Sequence, residues 1–170
     1  EPIYYLGLTQ KTQGRFKEAF STLYKATWKQ EWKAPAYFAL AEIASIRGDY
    51  EDALDLVKQS LDANASSVRA YILKAALLRQ LGRSEEAGYV VKKAMAKCDS
   101  LDVQLMAEAW LVRKSTTAAN RLVRACQEHP VNAEEVAAGY MNAGLWRDGQ
   151  AVLNLLVEES IEGTVSPLVY

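Results

Sequence analysis

The sequence has few of the residues on which enzymes, metal proteins and disulfide-bonded proteins depend. Its 170 residues include one histidine and two cysteines, Cys98 and Cys126, which do not form a Cys-x-x-Cys pair. One histidine and two separate cysteines supply neither a zinc ligand set nor a disulfide framework. No glycine-rich phosphate loop follows a predicted strand, and no pair of carboxylates is required to face across a pocket. We therefore expect no metal, no cofactor and no enzymatic activity.

Long apolar runs and an excess of one charge are also missing. No run approaches the roughly 20 apolar residues of a membrane span, and no signal peptide opens the sequence. The 20 basic and 21 acidic residues leave a net charge of −1, so no overall field attracts nucleic acid or anionic lipid. We expect neither a membrane nor a nucleic-acid partner, and the unpaired cysteines favour a cytoplasmic location.

Alanine and leucine dominate what is present. There are 26 alanines and 20 leucines against nine glycines and four prolines, and the first two residue types are strong helix formers. Apolar residues also recur at helical spacing, as at Leu40, Ala41 and Ala44. The sequence therefore predicts an all-α fold. The predicted helices are 2–13, 17–30, 35–47, 51–63, 67–81, 84–97, 101–113, 116–128, 133–143 and 147–160.

A short motif that begins with glycine recurs along the chain. Copies span 14–19, 48–53 and 82–87, so the spacing of their glycines is constant (48 − 14 = 34 and 82 − 48 = 34). Another copy begins at Gly144, at nearly twice that spacing (144 − 82 = 62), and Arg113 replaces glycine in a degenerate copy halfway between. Glycine at such a position ends a helix in the left-handed conformation. We predict one domain at 1–160, with hairpins at 1–33, 34–66, 67–98, 99–130 and 131–160, and an irregular tail at 161–170.

Prolines and capping residues refine the predicted helix starts. Pro35 and Pro130 are expected at the beginning of a helix, where a missing N–H costs little. Ser66 or Ser67 is expected to cap one helix, and Asn132 begins an Asn-x-x-Glu capping pattern.

Aromatic residues are expected to pack between helices. Phe16, Tyr50 and Trp146 each follow a turn glycine by two positions and are expected to contact the preceding helix. Trp28 and Trp32 are separated by four positions and therefore share a helix face. We expect this pair to pack on the next hairpin, the alternative being an exposed aromatic docking site.

The period and its anchor residues resemble the tetratricopeptide repeat (TPR). The matching residues are Leu6, Gly7, Gly14, Phe16, Ala19 and Ala26 in the first unit, Tyr37, Leu40, Ala41, Gly48, Tyr50 and Ala53 in the second, and Tyr71, Ala75, Gly82, Ala87 and Ala94 in the third. The resemblance implies a right-handed superhelical stack of about five hairpins. It also implies that the first helix of each hairpin lines a concave groove.

Several stretches are similar to a narrower group of TPR-like sequences. They are 24–28, 32–42, 48–50 and 73–83. The group consists of large bacterial proteins of unknown function in which the helical array follows a mutarotase-like, carbohydrate-related domain. This resemblance implies that the chain is the downstream helical part of such a protein.

The non-packing positions of the first helices are the expected ligand contacts. They describe an aromatic and aliphatic surface with two arginines as donors, which suits an apolar or extended peptide better than an acidic tail. The lysine and asparagine clamp of chaperone-binding TPR domains is absent. The same residues could instead belong to the core between helices. The candidates are Tyr4, Leu8, Phe38, Glu42, Arg69, Ile72, Arg79 and Trp110.

These features favour a protein–protein interaction module that holds a peptide segment or an adjacent domain in its groove. The alternative is a structural spacer that packs on the carbohydrate-related domain of the same chain. Weak self-association of a monomer is a third alternative, because the terminal repeats lack polar caps. A basic strip could seat RNA or phosphate but is more simply a solvated helix face. Its residues are Arg113, Lys114, Arg121 and Arg124.

Overall fold

The computed structural model describes residues 2–98 and 101–164, with side chains as far as residue 158. The described residues form ten α-helices, so the predicted all-α fold is confirmed. The helices are α1 (Pro2–Thr12), α2 (Phe16–Ala26), α3 (Gln30–Ile46), α4 (Tyr50–Ala63), α5 (Val68–Gln80), α6 (Ser84–Lys97), α7 (Val103–Arg113), α8 (Thr116–Glu128), α9 (Val131–Asn142) and α10 (Trp146–Thr164).

Consecutive helices form antiparallel hairpins that stack into a right-handed superhelix. Two or three residues separate the two helices of each hairpin, which is short enough to force them side by side. A small core joins α1, α2 and α3 around Leu23 and Leu40. A larger core contains fully buried leucines such as Leu77, Leu105 and Leu122 and continues to α10. Each unit therefore covers the apolar face of its neighbour.

A residue with positive φ follows the first helix of every hairpin. Gly14, Gly48, Gly82 and Gly144 have φ of 74°, 82°, 74° and 72°, and Lys114 has φ of 50°. The fourth turn lies between the predicted helix ends at 113 and 116, but Arg113, the residue at the glycine position of the degenerate copy, ends α7, and Lys114 adopts the left-handed conformation. Lys114 therefore follows the left-handed residue of the third turn by 32 positions (114 − 82 = 32), which is two fewer than the regular period. Gly144, the left-handed residue of the fifth turn, follows Lys114 by only 30 positions (144 − 114 = 30). The last two units are shortened unevenly.

Three helices differ from their predicted bounds by four or more positions, and α2 is the shortened one, since it ends at Ala26 and not at position 30. α3 begins at Gln30, so Pro35 lies inside the helix and its predicted place at the helix start is wrong. Stacking of Trp32 on Tyr4, with ring centroids 4.9 Å apart, holds the early turn of α3 against α1. α10 continues to Thr164, so the irregular tail predicted from 161 is wrong for positions 161–164. Positions 165–170 of that prediction lie outside the described residues.

The capping predictions succeed at one helix and fail at another. Ser67 caps α5, and its hydroxyl accepts a hydrogen bond from the N–H of Ala70. α9 begins at Val131, directly after Pro130, so Asn132 lies inside the helix and does not cap it. The Asn132 side chain instead donates to the carbonyl oxygen of Ala125 at 2.9 Å and fastens α9 to α8.

The predicted aromatic contacts also need correction. Trp28 does not pack on the next hairpin, because 77% of it is exposed. Trp32 contacts the preceding hairpin, where it stacks on Tyr4 and meets the edge of Tyr5 at 5.6 Å. Trp146 is 61% exposed, in contrast to its expected packing on the preceding helix.

Candidate interaction surface

A series of charged side chains crosses the first helices of units one to three. Lys11 of α1 pairs with Glu42 of α3, and Glu42 lies 3.7 Å from the guanidinium of Arg69 on α5. Burial raises the pKa of Glu42, and the charges of Lys11 and Arg69 oppose that rise. Arg69 also lies over the ring of Phe38, with 4.8 Å from Cζ to the ring centroid. Its side chain nevertheless remains 64% exposed.

Half-buried apolar side chains lie on α1 and α3, the helices that carry Lys11 and Glu42. Tyr4 and Leu8 of α1 pack on the small core, and Phe38 of α3 packs on the large one. Tyr4 and Phe38 are separated by the same spacing as the turn glycines (38 − 4 = 34) and therefore occupy the same phase of successive first helices. We call Tyr4, Leu8, Phe38 and Arg69 the N-terminal concave patch.

The fifth unit fills the other part of the concave side. The hydroxyl of Ser45, near the end of α3, donates to the carbonyl oxygen of Ala143 at 2.7 Å, although 98 positions separate the two residues. Gly144 lies so close to α3 that a Cβ added to it would be 2.9 Å from the Cα of Ile46. Only about 30 Å³ of open space remains between α3, α5, α7 and α9. That volume holds a few water molecules but no peptide.

A buried polar cluster joins units three, four and five. Arg79 of α5 donates to both carboxylate oxygens of Glu108 on α7, at 2.7 and 3.1 Å. It also donates to both carboxylate oxygens of Asp148 on α10, each at 3.0 Å. The hydroxyl of Tyr140 on α9 donates to Glu108 at 2.7 Å. We call these four residues the Arg79 cluster.

The electrostatics of the Arg79 cluster favour a structural role. Burial raises the pKa of Glu108, and the charge of Arg79 opposes that rise. Burial would lower the pKa of Arg79, but the carboxylates of Glu108 and Asp148 raise it on balance. Burial and the neighbouring carboxylate both raise the pKa of Tyr140 well above its usual value, so its hydroxyl stays a donor. Each guanidinium nitrogen of Arg79 already donates within the cluster.

The structure separates the eight predicted contacts into three groups. Tyr4 and Leu8 are the α1 residues of the N-terminal concave patch. Arg79 is committed to internal carboxylates, and Trp110 contacts Lys114, whose Nζ lies 3.7 Å from its ring centroid. Ile72 is buried beside the small cavity. The predicted contacts that line this cavity together are Phe38, Glu42, Arg69 and Ile72.

Sequence reasoning does not find Glu108, Tyr140 or Asp148. One signal exists, since Glu108 is the only charged residue at positions 103–112, and a lone acid in an otherwise apolar helix needs a buried partner. Nothing of this kind marks Tyr140 or Asp148, because their partners lie in distant units.

The four residues of the predicted basic strip have three different surroundings. Arg113 and Arg121 line a groove between α6 and α8, and Arg124 pairs with Glu128 at 2.9 Å farther along α8. Lys114 instead turns its ammonium group over the ring of Trp110. Arg121 also lines a second groove together with Arg124, so Lys114 is the member of the strip that points elsewhere.

Two further findings concern the described part of the chain. None of its helices combines the length and the hydrophobicity that a membrane crossing needs. None of its histidine, cysteine, aspartate and glutamate side chains gather in threes as metal ligands would. Both cysteines are free thiols, and burial raises the pKa of the Cys126 thiol.

Hairpins of this length, with left-handed turns and small residues at the helix contacts, define a helical repeat array of the TPR type. No protein-family model matches the sequence. TTC0263, a thermophilic TPR protein of Thermus thermophilus, is 17% identical over 96% of this chain and 92% of its own, with a TM-score of 0.61.

Two other solved structures share this fold. MamA from Desulfovibrio magneticus RS-1 is 13% identical over 96% of both chains, with a TM-score of 0.59. YrrB, a TPR protein with an unusual peptide-binding site, is 13% identical over 96% of this chain and 87% of its own, with a TM-score of 0.60. At these identities the likeness shows that the chain has the TPR fold, and it extends to the fold alone.

Proposed function

We propose that the chain is a protein-interaction module that binds an apolar peptide segment on the N-terminal concave patch. The observation that carries the proposal is that Arg69 is both held by its neighbours and exposed. Phe38 and Glu42 hold this side chain in place, yet most of it stays open to a ligand. Arg79, the other predicted donor of α5, is already occupied by internal carboxylates.

The patch limits the kind of peptide that fits it. Tyr4, Leu8 and Phe38 offer apolar contact, and Arg69 offers a donor for a peptide carbonyl or a single carboxylate. Glu42 lies directly beneath this arginine and would repel a run of acidic side chains. Because the fifth unit occupies the rest of the concave side, the ligand would contact units one to three only. YrrB has a peptide-binding site on the same fold, which supports this kind of function.

A peptide-display selection followed by calorimetry tests the proposal. We expect the wild type to select short apolar peptides, and the Phe38→Ala/Arg69→Glu variant to bind them at least tenfold more weakly. Tenfold corresponds to about 1.4 kcal/mol. The matched control is Lys17→Glu/Tyr89→Ala, which changes an exposed cation and an exposed aromatic on α2 and α6. Equal binding by the wild type and the patch variant would contradict the proposal.

The spacer alternative has its own supporting observation. Tyr24 and Trp28 are separated by four positions at the end of α2, with exposed fractions of 49% and 77%. Such an aromatic pair could pack on a neighbouring domain of a longer chain, including the carbohydrate-related domain that the narrower resemblance implies. A spacer predicts that Phe38→Ala/Arg69→Glu leaves every external interaction unchanged, whereas a peptide-binding module predicts a loss.

Weak self-association is the third proposal. α1 has no preceding helix among the described residues, and Ile3 and Leu6 on it are 47% and 52% exposed. We expect Ile3→Glu/Leu6→Glu to remove any concentration-dependent rise in mass by light scattering. A constant monomer mass in the wild type would contradict self-association.

A further inference from the structure

The first four second helices, α2, α4, α6 and α8, have a groove between each successive pair on the outer face, and these three grooves differ in charge. The groove between α2 and α4 is lined by three aspartates and one arginine. The groove between α4 and α6 contains both lysines and glutamates. The groove between α6 and α8 is lined by Lys92, Arg113 and Arg121, with no acidic side chain among its described lining residues. We call this third one the outer basic groove.

The floor of the outer basic groove is apolar. It contains Met95 of α6, which is half-buried, and Met106 of α7, which is buried, together with small aliphatic side chains. The groove has about 420 Å³ of open space. Methionine side chains are flexible and adapt to the shape of a partner. The floor can therefore receive apolar side chains of differing shape.

Among the described residues, the cations at the rim have no partner of opposite charge. Lys92, Arg113 and Arg121 are exposed and form no ion pair with any residue that the structure describes. Arg124, the other arginine of α8, pairs with Glu128 at 2.9 Å. Three unpaired charges of one sign around an apolar floor are complementary to a ligand with acidic flanks and an apolar centre.

We infer that the outer basic groove binds an acidic amphipathic peptide segment, at a site separate from the N-terminal concave patch. An amphipathic helix lies in such a groove with apolar anchors at positions i, i+3 or i+4, and i+7. Its flanking carboxylates would pair with Arg113 and Arg121. α6 spans about 21 Å, the length of a ligand helix of about 14 residues. Nucleic acid fits less well, because no aromatic residue among the described lining residues offers a stacking surface for bases.

The methionines allow the bound position to be observed directly. The sequence has three of them. Met95 and Met106 lie in the groove, and Met141 lies on α9 with 44% of its surface exposed. Labelling the methionine methyl groups with ¹³C therefore gives three NMR signals, two of which report on the groove while the third is an internal control.

The experiment uses a random display library of peptides that are long enough to form a helix of the same length as α6. Peptides that bind the wild type are selected from it. Peptides that also bind the Arg113→Glu/Arg121→Glu variant are removed. We expect the remaining peptides to be rich in acidic residues with apolar residues at helical spacing. They should shift the signals of Met95 and Met106 and leave Met141 unchanged, and the charge-reversed variant should bind at least tenfold more weakly. The control variant is Lys17→Glu/Lys25→Glu, with two exposed cations reversed on α2.

Three results would overturn the inference. In the first, no peptide distinguishes the wild type from the charge-reversed variant, although circular dichroism shows both to be folded. In the second, the selected peptides leave Met95 and Met106 unshifted. In the third, a random-sequence single-stranded RNA binds the groove more tightly than the selected peptides. In the Phe38→Ala/Arg69→Glu variant, the selected peptides should still shift the signals of Met95 and Met106. The experiment therefore tests the outer basic groove independently of the N-terminal concave patch.

Discussion

At the scale of single residues, backbone handedness and close contacts decide which side chain a position tolerates. The sequence predicts the glycine turns, because glycine is the residue that adopts positive φ at little cost. At the fourth turn it predicts the helix ends but not the left-handed residue, because Lys114 has φ of 50° and nothing about lysine indicates that conformation. Contact of its ammonium group with Trp110 compensates for part of that strain.

Replacement of Lys114 separates the backbone strain from the side-chain contact. Lys114→Ala loses the contact with Trp110 and keeps the strain, whereas Lys114→Gly loses both. We therefore expect the glycine variant to be more stable than the alanine variant by about 1 kcal/mol in urea unfolding. Equal stability of the two variants would show that the left-handed turn is not strained.

Two helical glycines differ in the space that surrounds them for an added methyl group. A Cβ on Gly149 would lie 3.6 Å from its nearest neighbours, which is ordinary contact. A Cβ on Gly7 would lie 2.6 Å from the Cγ of Leu23. We expect Gly149→Ala to stabilise the protein by about 0.5–1 kcal/mol through helix propensity. Gly7→Ala should destabilise it by about 1–3 kcal/mol through overpacking, and thermal unfolding should shift in opposite directions.

At the scale of helices, periodicity predicts position and phase better than contact partners. The regular repeat period predicts that Tyr4 and Phe38 lie at one phase of successive helices. It does not indicate that Trp32 packs on the preceding hairpin, because this contact requires a turn of α3 before Pro35. Glu108 shows the same limit, because the sequence reveals an isolated acid but not the arginine that neutralises it.

The Arg79 cluster predicts a pH dependence that appears when its cation is removed. Arg79→Met leaves Glu108 buried without a positive partner, so the pKa of this carboxyl rises further above its unfolded value of about 4.3. A group whose pKa is raised on folding stabilises the fold at low pH and loses that contribution as pH rises through the folded pKa. We expect the variant to lose about 3 kcal/mol at pH 7 and much less at pH 4.5.

The matched control replaces the acid as well. Arg79→Met/Glu108→Gln has no carboxyl at the buried position, so its free energy of unfolding should vary with pH less than that of Arg79→Met. Urea unfolding of both variants between pH 4.5 and 7.5 measures the difference. Parallel pH profiles would exclude Glu108 as the origin of the dependence.

At the scale of the whole molecule, the fifth unit departs from a simple stack in which each repeat contacts only its neighbours. The bond from Ser45 to Ala143 joins unit two to unit five, and the Arg79 cluster joins unit three to unit five. Such contacts depend on the curvature accumulated over the shortened fourth and fifth units. The sequence shows that these units are short but not how far the array closes, so the partly filled concave side could not be predicted from it.

Two buried serines distinguish contacts between distant units from contacts within a hairpin. Ser45 donates to Ala143 at 2.7 Å across three units, and Ser60 donates to Ala34 at 2.9 Å within the second hairpin. Each alanine substitution leaves a carbonyl without its donor and should cost about 1–2 kcal/mol. We expect Ser45→Ala to speed hydrogen exchange of the α9–α10 amides, while Ser60→Ala speeds exchange of α3 and α4. If Ser45→Ala leaves α9 and α10 as protected as in the wild type, the fifth unit is held by its neighbours alone, and the concave side is filled for reasons other than this bond.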